Sequence, residues 1–121
     1  MSEATERVLG VKRLPIFPLP LVLFPNEILP LHIFEPRYRQ LLKDVQLGNS
    51  LIGVSYFDSA EMDWEKPEIG SIGCVTEVRE VQMMDDGRSN ILTIGLIRYE
   101  IEDYVDSDEP YLVAEVSFFE D

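Results

Sequence analysis

The chain has 121 residues, enough for one domain with a real core, and its 45% hydrophobic and 27% charged residues are the ordinary balance of a globular protein. The formal net charge of −13 is not ordinary, and it is lopsided: residues 1–50 hold six Lys/Arg and five Asp/Glu, residues 51–121 four Lys/Arg and eighteen Asp/Glu. So acidic a chain argues against binding nucleic acid, whose phosphates need a basic face, and against an anionic membrane surface; solubility is the plain reading of the charge.

Residues 1–12 read as a flexible, charged lead that docks near Val8 to Val11. Acids come early in it and no apolar core follows, so it does not resemble a signal peptide, and the cytoplasm is the default compartment. Residues 13–121 read as one β-rich unit. Six of the eight prolines fall between Arg13 and Arg39, interleaved with Leu, Ile, Val and Phe. Proline has no backbone N–H and does not fit a central ladder, so the chain must enter the core as short extended pieces, bent or edge-paired at each proline. Leu14–Leu19 is predicted as the first strand, with Leu14 and Ile16 on one face. Asn26 after Pro25 marks a turn. Ile28–Phe34 is predicted as the second strand, Leu29, Leu31 and Ile33 inward and Ile28, Pro30 and His32 outward.

A helix is predicted over about 36–47. Pro36 suits its first position, Glu35 its positive end, and Tyr38, Leu41, Leu42 and Val45 form one apolar stripe. Gly48 is expected to close it as a left-handed cap. Leu51–Phe57 is apolar on both faces and reads as a buried strand, with Gly53 at a bulge or a close approach. A long acidic loop, Asp58–Ile69, follows. From Gly70 to Met83 the alternation runs through Ile72, Cys74 and Val78 and then changes phase to Val81 and Met83, which predicts a β-bulge near Arg79. Asp85-Asp86-Gly87 is a hairpin turn. Asn90–Tyr104 is the return strand, Leu92, Ile94 and Leu96 on one face, Tyr99 and Ile101 on the other, and Gly95 as a break. The last strand points Leu112, Ala114, Val116 and Phe118 inward. Long bulged strands favour a closed or half-closed barrel.

The run LPIFPLPLVLFPNEILPLHIFEPRYRQLL, from Leu14 to Leu42, resembles the opening of the Lon N-terminal (substrate-binding) domain, as found in Lon protease, cereblon and stand-alone Lon-domain proteins. Gly70-Ser71-Ile72-Gly73, Gly95 to Ile101 and Pro110 to Val116 extend the resemblance over roughly Leu14 to Glu120. It implies a mainly β, PUA-like pseudo-barrel of about six strands with one packed helix. It also implies a helical half after the β subdomain, which is absent from this chain. The peptidase and ATPase modules of Lon proteases lie in separate domains; neither the Ser–Lys dyad nor a GxxxxGK[ST] phosphate loop stands in this sequence.

No catalytic, cofactor or metal site is expected. His32 is the sole histidine, without a nucleophile at motif spacing, and reads as a hydrogen-bonded structural residue. Asp103, Asp106, Asp108 and Glu109, like Asp85 and Asp86, lack calcium-loop order and read as solvated loop acids. Cys74, the only cysteine, excludes an internal disulfide and reads as a small core residue. Glu35 and Arg39 have helix-pair spacing, and Arg98 is placed to meet an acid on a neighbouring strand. Trp64, beside Met62 in the acidic loop, is either a cap on the core or an exposed anchor. The candidate protein-binding residues are Trp64, Met62, Phe24, Phe118 and Phe119. The expected partners are unfolded or extended polypeptides or one fixed partner protein, with weak self-association through Phe118, Phe119 and the proline-rich stretch.

Overall fold

The computed structural model describes residues 2–58 and 66–120. In chain order they form α1 (Glu3–Arg7), β1 (Arg13–Leu19), β2 (Ile28–Ile33), α2 (Pro36–Leu47), β3 (Leu51–Tyr56), β4 (Ile72–Met83), β5 (Ser89–Tyr104) and β6 (Leu112–Phe119). β1 and β3 run parallel at the centre, from Ile16 opposite Gly53 to Leu19 opposite Tyr56. A parallel pair needs cover on both faces, which is why β3 is apolar on both and buried from Leu51 to Ser55. β1 tolerates its prolines because its two neighbours scarcely overlap. β6 flanks it over Arg13–Ile16 and β3 over Ile16–Leu19, so Pro15 and Pro18 each border a single strand.

On one face of this pair the sheet closes on itself. β6 pairs antiparallel with β1 and also with the second half of β5, so β5, β4, β3, β1 and β6 make a ring. Leu14, Ile16, Leu51, Val75, Ile97, Tyr99, Ile101, Ala114 and Val116 fill it, with Val8 entering from beyond α1. Tyr99 is fully buried; its hydroxyl shares a 2.5 Å hydrogen bond with Ser55 Oγ, and Gly53 and Gly73 leave room for its ring. On the other face α2 lays Tyr38, Leu41, Leu42 and Val45 against Phe17, Ile33, Ile52 and Ile91, with Tyr38 stacked on Phe17 at 4.1 Å. Each such side chain contributes about 1.5–3 kcal/mol by leaving water. A third, smaller cluster joins Leu23 to Val54 and Cys74.

The mainly β pseudo-barrel of six strands with one packed helix over 36–47 matches the periodicities, and the structure adds detail they miss. Where a frayed lead is expected, residues 3–7 form α1, capped by Ser2 Oγ accepting the Thr5 N–H at 3.1 Å. The Arg79 bulge is present as a register shift between Val78 and Glu80, and a second shift lies between Val75 and Thr76, opposite Leu96. Ile72 and Met83, expected on the inward faces, are instead 39% and 70% exposed, because they are the two end residues of β4. Gly95 does not break β5, which is continuous through it. Gly53 carries no bulge; the close approach there is the Tyr99 hydroxyl, 2.9 Å from where a Cβ would stand. Gly48 is not left-handed either: its φ is −113°, and the positive φ falls on Ser50 at 63°, whose N–H reaches back to Val45 O at 2.9 Å.

Candidate functional site

The proline-rich segment between β1 and β2 crosses the outside of the barrel. Leu23 anchors it by packing into the Val54–Cys74 cluster. Past Leu23 the chain turns at Asn26, at φ 72°, and the Glu27 carboxylate accepts the Phe24 N–H at 2.7 Å. Asn26 N–H donates to Gly95 O and Gly95 N–H to Glu27 O, both at 2.8 Å. Glycine is required at 95 because a Cβ there would stand 2.6 Å from the Phe24 carbonyl oxygen. The segment is thus fixed at both ends while its large side chains face out. Val22 is 64% exposed, Phe24 51%, Ile28 64% and Phe34 53%. These four lie along the segment, in β2 and just past it.

Arg98 stands at the centre of this region. Its guanidinium carbon lies 5.9 Å from the Phe24 ring centroid and 5.8 Å from that of Phe119. Each cation–π contact at such a half-open site contributes about 0.5–1 kcal/mol. Arg98 thus joins the turn before β2 to the end of β6 through the two rings. Beside it opens a cleft of about 520 Å³ walled by Ala4, Pro25, Asn26, Leu96 and Phe119. α1 holds the far wall: Thr5 Oγ1 donates to Glu120 Oε1 at 2.7 Å and Ser2 Oγ donates to the same oxygen. The Ser2 and then the Thr5 hydroxyl keep the Glu120 carboxyl below its usual range.

Of the five candidate residues, the structure brings Phe24 and Phe119 together around Arg98. Phe118 alternates to the opposite side of β6 and packs against the barrel core. Met62 and Trp64 lie outside the described residues. The other residues weighed for chemistry are occupied structurally. His32 Nδ1 lies 2.7 Å from Asn90 Oδ1, and its ring stacks on Phe34. Cys74 is buried, and burial pushes its thiol up to about 11. Glu35 pairs with Arg37 at 2.9 Å and not with Arg39, whose Nε donates to Phe34 O at 3.0 Å. The i, i+4 pair fails because Glu35 precedes the helix in extended backbone, so helical spacing does not reach it. Among the described residues no three His, Cys, Asp or Glu side chains are grouped to hold a metal ion, and no helix is long and apolar enough to cross a membrane.

β2 was legible as a strand, but not as an edge. Among the described residues every other strand has neighbours on both sides, whereas β2 pairs with β5 alone. The pairing is long-range, and only Pro30 hinted at it, since proline within a strand favours an edge.

The profile of the ATP-dependent protease La (LON) substrate-binding domain matches residues 13–121. The Lon protease of Flavobacterium johnsoniae is 35% identical over 105 residues, covering 85% of this chain and 13% of the relative. That of Parabacteroides distasonis is 33% identical over 124 residues, covering 99% and 14%. The chain therefore spans about one seventh of these relatives' length. Among solved structures, a Lon N-terminal domain protein from Xanthomonas campestris superposes with a TM-score of 0.74 at 27% identity, covering 91% of this chain and 61% of that one. The N-terminal domain of a Mycobacterium avium complex Lon protease shares the fold, with a TM-score of 0.68 at 15% identity, covering 91% of this chain and 56% of that one.

Proposed function

Because the chain belongs to the ATP-dependent protease La (LON) substrate-binding domain family over residues 13–121, we propose that it is a non-catalytic protein-recognition domain that binds exposed apolar or extended polypeptide segments. The role is to hold or pass them for proteolysis or quality control in the cytoplasm. The observation that carries this reading is the exposed apolar series of Val22 and Phe24, on the segment pinned at Leu23 and Gly95, and Ile28 and Phe34, in β2 and just past it. The backbone is fixed in advance, so a guest orders itself against a surface that costs little to preorganise. Trp64 and Met62 are proposed as further anchors of this surface, with Phe119 beside Phe24 around Arg98. Phe119, with the proline-rich stretch, also supports weak self-association at high concentration, while Phe118, packed against the barrel core, drops out of that face. Under this reading the purified chain turns over neither casein nor ATP.

The competing role is a scaffold that docks one fixed partner protein, and the half-open cleft beside Arg98 is the feature that favours it. The chain used as bait separates the two. A receptor for clients recovers a broad set of polypeptides, enriched when they are unfolded beforehand. A scaffold recovers one stoichiometric band and ignores the unfolding.

A further inference from the structure

We propose that the free edge of β2 is a strand-addition site for an extended, neutral-to-basic segment of another polypeptide, and that Pro30 keeps this edge from pairing with a second copy of the chain. The proposal rests on the polypeptide-binding reading and gives it a place and a chemistry.

The phase of the ladder is set at its start, where Gly95 N–H donates to Glu27 O. Backbone groups in an antiparallel ladder alternate in direction. With Leu29 opposite Thr93 and Leu31 opposite Ile91, the groups of Leu29, Leu31 and Ile33 face β5, and those of Ile28, Pro30 and His32 face outward. No described residue supplies a backbone partner to that outward set. The edge therefore offers the carbonyls of Ile28, Pro30 and His32 and the N–H groups of Ile28 and His32. Pro30 sits where its missing N–H costs the fold nothing and costs a guest one bond.

A guest strand laid antiparallel on this edge alternates its side chains between two environments. Those on one face fall beside Leu29 and Leu31, both half-buried, and call for apolar residues. Those on the other fall beside Ile28 and His32, in a face that runs through Leu92 to Glu80 and through Ile94 to Glu77, the latter already paired with Arg7 and Arg79. That face suits polar or basic residues. A second copy is the wrong guest on two counts. Paired about its own centre it sets Pro30 against Pro30 and removes both central donors, and it adds another net charge of −13.

The test uses the 121-residue chain and a fluorescent octapeptide of alternating Val and Thr with Lys at each end. Two further versions carry backbone N-methyl groups on the Val amides only or on the Thr amides only. In antiparallel addition the Thr residues lie on the outward face and turn their N–H groups to β2. Methylating them is expected to weaken binding by about tenfold or more, because several ladder bonds go together, while methylating Val amides changes it by about twofold at most. Ile28→Pro, which removes an outward donor, is expected to weaken the unmodified peptide. Pro30→Ala, which restores one, is expected to tighten it and to make the chain self-associate more than the parent in sedimentation. Two methylated peptides that bind alike overturn the edge assignment, even if Ile28→Pro misfolds. If a denatured protein binds the chain while the methylated peptides do not differ, the edge fails and the polypeptide-binding reading stands. If no polypeptide binds, the reading itself fails.

Discussion

A methyl group added at Gly73 tests the barrel core on which the surface is mounted. The Cβ of Gly73→Ala would stand 2.5 Å from both Cζ and Oη of Tyr99 and 2.6 Å from Val54 O. Carbon atoms in contact settle near 3.5–4.0 Å, so something must move by about 1 Å. The ring has nowhere to go. Gly53 already lies against its far side, with a hypothetical Cβ 3.1 Å from Cζ, and the hydroxyl is bonded to the buried Ser55. Val54 O belongs to the β3 backbone, in the antiparallel pairing with β4, and cannot yield without bending the sheet. The cost should reach or exceed the usual overpacking range of about 1–3 kcal/mol. Urea unfolding followed by far-UV circular dichroism measures it, with an unchanged slope showing that the unfolded state is not at issue. Tyr99→Phe alone leaves Ser55 without its partner and should cost about 1–3 kcal/mol. In the double variant the two losses should fall short of additive, because the Oη clash is gone. A Gly73→Ala loss under about 0.5 kcal/mol, the level of an ordinary surface change, would refute the packing of Tyr99 described above.

The remaining predictions concern α2, alkaline stability and the binding surface. Leu42, 4% exposed on the helix stripe, should cost about 2–5 kcal/mol when changed to Ala, read from the same unfolding curves. Burial raises the Cys74 thiol from its ordinary value to about 11 and the Tyr104 hydroxyl to about 12, so the folded chain holds these protons more tightly than the unfolded one. Stability from these groups is fully present below the ordinary thiol and phenol values and is lost as pH rises through about 11 and then 12; a Cys74→Ala variant that unfolds at the same alkaline midpoint as the parent would contradict the thiol's share. At the surface, Trp64→Ala should weaken binding of an unfolded protein by about 1–2 kcal/mol with little change in stability, and unfolding instead of weaker binding would place Trp64 in the core.

The fold was legible where local chemistry fixes it. The Tyr38–Leu41–Leu42–Val45 stripe with Pro36 at its start specified α2, and the phase change before Val81 specified the Arg79 bulge, because a bulge leaves its mark in the alternation itself. The shift opposite Leu96 left no such mark, since Cys74, Val75 and Thr76 are all buried and no exposed residue records a change of face. Gly95 looked like a strand break because a missing side chain reads the same whether the backbone bends or another backbone crosses it. Of the candidate site, Phe24 and Phe119 were picked out as large apolar residues near turns and ends. Their meeting around Arg98 depends on β6 returning to β5, a pairing between distant segments that no local pattern encodes. The free edge of β2 was hidden for the same reason.

The polypeptide-recognition claim is tested most directly by titrating a permanently unfolded, reduced and carboxymethylated model protein against the chain, beside its native folded form, at low and high salt. The account predicts saturable binding of the unfolded form alone, of modest affinity since one small surface must offset the ordering of a flexible guest, and largely retained at high salt because apolar contact carries it. Equal binding of the folded form, or binding of the unfolded form that disappears in salt, would contradict it.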